Sequence, residues 1–63
     1  MKKLLVQIIN DNGSPMTRSM IIEKLKQMEK PSGNVYRDVG ILVKNRKLEN
    51  RNGWYSVVPD IPD

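Results

Sequence analysis

At 63 residues the chain has room for one domain, near the lower limit at which a core folds alone. It holds no Cys and no His, which excludes disulfides, zinc sites and His-based triads and leaves carboxylates, Lys and Tyr for any chemistry. Eleven Lys and Arg against seven Asp and Glu give a net charge of +4, and no apolar run approaches the ~20 residues a membrane span needs.

Residues 2–10 place Leu4, Leu5, Ile8 and Ile9 on one face at helical period, and the turn formers Asn10 to Pro15 end the run. A first helix is expected near 3–11. The start Met1-Lys2-Lys3-Leu4-Leu5-Val6 is broken by Gln7 and lacks a small-residue cleavage site, so no leader is expected. Thr17 is a good N-cap for a second helix over about 17–29, with Met20, Ile21, Leu25 and Met28 on its apolar stripe, Ile22 beside it, and Pro31 beyond its end. Met16, just before the cap, suits a hydrophobic staple or a short strand. The methionines, Met1 included, are read mainly as core filler.

Ser32 is read as the cap of a third helix over about 33–46, after a tight turn. In it Val35, Val39, Leu42 and Val43 recur at spacings of four, three and one. With about 100° per residue, Gly33, Arg37, Gly40 and Lys44 fall opposite that apolar face, flanked by Asn34, Tyr36 and Ile41. Gly40 inside a helix costs about 1 kcal/mol relative to Ala. It marks either a packing accommodation or a close approach to something outside. Asp38 lies nearer the core side, within reach of Arg37, Lys2 or Lys3.

The period then changes. Leu48–Asn50 and Trp54–Val58 read as two strands joined at Asn52-Gly53, a pair suited to a type I′ turn. Trp54 and Tyr55 alternate faces, so one should pack on the core, and Trp54 is expected to lie as a lid over the helices; an outward Trp54 would mark a partner surface. Residues 59–63 form an expected tail, with the domain at 1–58.

The charge is unevenly placed. Between Lys30 and Arg51 there are six bases and two acids, so this stretch alone nets +4, while the remaining residues sum to zero. Clustered base is the footprint of a polyanion partner.

Three helices followed by a hairpin is the order of the winged helix-turn-helix. Ser32-x-Asn34-Val35-Tyr36-Arg37-Asp38-Val39-x-x-Leu42-Val43, then Leu48, then Gly53-x-Tyr55-x-Val57 resembles the recognition helix and wing of bacterial winged-helix regulators, including the PadR-like and ferric-uptake-regulator-like families. The resemblance covers about residues 4–58. Two positions depart from it: Arg46-Lys47 stands where a Gly is usual, and Gly40 is atypical. The resemblance implies an α+β winged helix with a two-stranded wing, in which helix 3 reads the major groove of double-stranded DNA. It also implies that Tyr36 reaches DNA; packing against helix 1 or the wing is the other reading of that ring.

The candidate contacts are Ser32, Gly33, Asn34, Tyr36, Arg37, Gly40 and Lys44 on helix 3, with Lys47, Arg51 and Asn52 on the wing side. Arg suits guanine and Asn suits adenine, and a helix N-terminus suits phosphate. Expected, then, is a small transcription regulator of the compact kind that phages and plasmids encode. It would act in the cytoplasm, as a homodimer on a palindromic site, with no membrane, metal, cofactor or small-molecule substrate. No carboxylate pair sits beside a nucleophile and no Gly-rich phosphate loop appears, so no enzyme activity is expected. The alternative is a winged-helix interaction module that binds a polymerase or replication protein; a third reading is an architectural protein that bends DNA.

Overall fold

The apolar stripes place each helix against a common core. A computed structural model describes residues 2–59, so Met1 and all of the expected tail except Pro59 lie outside the described residues. Among them, α1 (Lys2–Asn12), β1 (Met16–Thr17), α2 (Arg18–Gln27), α3 (Val35–Lys44), β2 (Leu48–Arg51) and β3 (Trp54–Val57) follow in order. The result is a small α+β domain of three helices and one three-stranded antiparallel sheet, ordered β1-β3-β2.

The core draws on every element. Leu5, Ile8 and Ile9 come from α1, Met16 from β1, Ile21 and Leu25 from α2, Val35, Val39 and Leu42 from α3, and Leu48 and Tyr55 from the hairpin. Leu4, Val6, Ile22, Val43 and Val57 pack around them. The second helix differs from its expected stripe. Ile21 and Leu25 are buried, but Met20 and Met28 are each 38% exposed, because Ile22 takes the flank and Met28 sits at the helix end. Of the three methionines described, only Met16 fills the core.

Thr17 caps α2 as its side chain predicts, its Oγ1 accepting the Met20 N–H at 3.2 Å. Ser32 does not cap α3. Asn34 occupies the N-cap position without a side-chain cap bond, and the Ser32 carbonyl accepts the Val35 N–H in the turn before it. The connection between α2 and α3 occupies residues 28–34, longer than the tight turn expected, because α2 closes with its own C-terminal motif before Pro31.

That motif explains why α2 and α3 both end earlier than their periodicity implies. In α2 the Glu29 N–H donates to the Lys26 carbonyl and the Lys30 N–H to the Leu25 carbonyl, at 3.0 and 2.9 Å. In α3 the Arg46 N–H donates to Val43 and the Lys47 N–H to Leu42, at 3.0 and 2.8 Å. These are Schellman closures, which require a left-handed residue, and Glu29 (φ 57°) and Arg46 (φ 61°) supply it without glycine. Arg46 is the position where the resemblance leads one to expect Gly. Arg46→Gly removes the left-handed penalty and adds some unfolded-chain entropy, so it should stabilise the domain by about 0.5–1 kcal/mol. Urea denaturation checks this, and an unchanged or lower midpoint would refute it.

The hairpin turns at Asn52 (φ 54°) and Gly53 (φ 88°), both left-handed as a type I′ turn demands, and the Asn50 Oδ1 accepts the Gly53 N–H at 2.8 Å. The register pairs Leu48 with Val57 and Arg51 with Trp54. Directly paired residues share a face, and faces alternate along a strand. Since Leu48 is in the core, Val57 and Tyr55 face inward and Trp54 is turned out. Tyr55 is 6% exposed and Trp54 is 48% exposed, the reverse of the expected lid. Of the two readings of Met16, the short strand holds: Met16 pairs with Tyr55 and Thr17 with Trp54, which adds a third strand to the two-stranded hairpin.

Candidate functional site

The α3 helix turns Val35, Val39 and Leu42 inward, and its other face follows by geometry. Gly33, Asn34, Tyr36, Arg37, Gly40 and Lys44 are all exposed, while Ser32 and Ile41 are half-buried. Arg37, Gly40 and Lys44 thus form an outward stripe three and four residues apart, spanning most of the helix. Lys47 is exposed just past α3, and Arg51 and Asn52 are exposed at the hairpin tip. Helix and hairpin therefore present two separate groups of the expected residues.

The acids of this segment are both engaged. Asp38 is 4% exposed and its Oδ1 lies 3.6 Å from the Arg37 Nε, so it pairs with Arg37 and not with Lys2 or Lys3. Being in the first turn of α3, it also sits at the favourable end of the helix dipole. The contact is an ion pair at hydrogen-bond-exceeding distance, and the Arg37 side chain stays 69% exposed. At the hairpin, the Arg51 Nε donates to the Glu49 Oε1 at 2.7 Å. Any anion that engages Arg51 competes with Glu49. Among the described residues no carboxylate lies within ion-pair distance of Lys44, Arg46 or Lys47. These three cations gather where α3 ends, which the helix dipole itself favours.

Tyr36 packs against neither α1 nor the hairpin as a buried ring. It is 60% exposed, and the Arg18 guanidinium lies 4.4 Å from its ring centroid. That cation–π contact ties the start of α2 to the first turn of α3. Arg18 and Arg46 are therefore further cations of this surface that sequence reasoning passed over. For Arg46 the signal was present, a charged residue at a position suited to Gly. For Arg18 there was none, since it meets Tyr36 only through the packing of two helices.

No family model, curated protein or solved structure matches this chain.

Away from α3, a groove of about 510 Å³ lies between α1 and α2, lined by Leu4, Ile8, Met16, Met28 and the polar Gln7 and Lys24, among others. No group of three or more His, Cys, Asp or Glu gathers as a metal site among the described residues, and no described helix is long and apolar enough to cross a membrane.

Proposed function

We propose that this chain is a winged-helix DNA-binding regulator, with α3 in the major groove and the β2–β3 hairpin as the wing. One observation carries this reading: the outward stripe Arg37, Gly40 and Lys44 bears no free acid and lies within the segment that holds the entire net charge. A helix fits the major groove, where Arg37 suits the O6 and N7 of guanine and Asn34 an adenine edge. Ser32 and Gly33, in the turn ahead of α3, stand where a phosphate would meet the helix start. Lys44, Arg46 and Lys47 suit the phosphate backbone past the helix end, and Arg51 with Asn52 suits it at the wing tip. A domain this small covers little DNA, so two copies on a palindromic site complete the proposal.

Salt dependence tests the reading. If Lys44, Arg46, Lys47 and Arg51 each neutralise one phosphate, log K against log salt should slope at about −3 to −4 per monomer. Fluorescence anisotropy with a labelled duplex at several salt concentrations measures it. The outward Trp54 favours a second reading, a module that docks on a polymerase or replication protein. A flat titration between low and physiological salt would favour that second reading over DNA.

A further inference from the structure

We infer that Gly40 sets the depth at which α3 seats against its partner, so that the helix docks by its middle, backbone first. The inference rests on the DNA-binding reading above and deepens it.

A glycine in a helix interior lowers helix stability relative to alanine, so it calls for a reason. Three intramolecular reasons are common. A left-handed backbone is one, but the left-handed residues near α3 are Arg46 beyond its end and none within it. A helix end is another, but α3 continues from Gly40 to Lys44. Close packing inside the domain is the third, yet a Cβ built at Gly40 meets nothing within 4 Å beyond its chain neighbours and the backbone of its own helix, and the residue is exposed. Nothing within the described fold requires glycine there.

Its position supplies the external reason. Gly40 stands one turn after Arg37 and one turn before Lys44, at the centre of the outward stripe. When both cations reach a duplex, the helix segment between them lies nearest the base edges, and the missing Cβ lets the backbone come in by about the width of a methyl. A side chain there holds the helix off. Hydrogen bonds weaken steeply once donor and acceptor part beyond about 3.2 Å, so a small withdrawal disrupts the base contacts made from the same face.

The test uses the full chain and duplexes enriched by the wild-type protein from a pool with a randomised core. Wild type, Gly40→Ala and Gly40→Leu are compared by anisotropy on the enriched duplex and by thermal melts. Gly40→Ala should raise Tm by roughly 4–8 °C. It should also weaken binding about tenfold, the scale of one lost base contact, and Gly40→Leu should weaken it further. A variant that is more stable yet binds worse identifies a residue kept for docking. If wild type enriches a duplex and Gly40→Ala binds it within about twofold, the inference falls and the DNA reading stands. A drop in Tm for Gly40→Ala would assign the glycine to the fold and overturn the inference equally. If wild type enriches no duplex, the DNA reading itself fails.

Discussion

Leu25→Ala should leave the domain largely unfolded at physiological temperature. Leu25 is fully buried on α2, within a cluster that joins all three helices and the sheet, and its carbonyl closes the helix by accepting the Lys30 N–H. Removing a buried leucine side chain costs roughly 2–5 kcal/mol, because the surrounding core collapses only partly into the space. A core of this size supplies roughly 3–5 kcal/mol in total, so the loss consumes most of it. Met28→Ala, one turn on in the same sequence pattern, should shift stability by no more than about 0.5 kcal/mol, since Met28 is substantially exposed. Circular dichroism melts of the two variants separate the burial seen in the structure from the apolar stripe read off the sequence. Equal effects would mean that α2 does not pack as described.

The second large effect concerns recognition. Arg37→Ala should weaken binding to a selected duplex by roughly 1–3 kcal/mol while leaving binding to a scrambled duplex largely intact, because a bidentate base contact discriminates and a phosphate contact does not. Arg37 also leaves a consequence behind. Without it the buried Asp38 loses its ion-pair partner, so melts must accompany the titrations. Arg51→Ala provides the contrast. It should weaken all duplexes alike, and by less than an unpaired Arg would, since Glu49 already holds its guanidinium in the free protein. If Arg37→Ala kept its preference for the selected duplex with the fold intact, α3 would not be the reading element. The hairpin tip or the exposed Lys2-Lys3 pair would then be the next segments to examine.

Much of the architecture was legible because it depends on short-range rules. Helical periodicity placed α1 and α3, and the Val35, Val39 and Leu42 face is the one that packs inward. Thr17 announced its cap, and Asn52-Gly53 announced a turn needing two left-handed residues. The inward face of the hairpin was legible as well, although the expected inward ring is Trp54. With a two-residue turn and Leu48 in the core, pairing alone directs Tyr55 inward, whatever the bulk of Trp54. The composition of the outward α3 stripe follows from the same periodicity, so the exposure of Arg37, Gly40 and Lys44 needed no tertiary information.

Other features had no local signal. Periodicity cannot say where a Schellman closure ends a helix on a charged residue: Glu29 carries none of glycine's conformational mark, and Arg46 stands out only against the Gly that the resemblance places there. At Met16 the sequence leaves a staple and a short strand both open, and the strand forms because β3 offers Met16 and Thr17 a free edge. The contact of Arg18 with Tyr36 depends on how α2 crosses α3, and the emptiness around Gly40 on which neighbours fail to reach it. By itself, then, the sequence determined the three helices and the hairpin, the inward faces of α1 and α3 and the placement of charge, because these follow from periodicity, turn chemistry and residue type within a few positions. Only the tertiary structure decided that Met16 and Thr17 pair with β3, that Arg18 meets Tyr36 and which neighbours stay clear of Gly40, because each depends on residues that are distant in the chain and adjacent only once the core has packed.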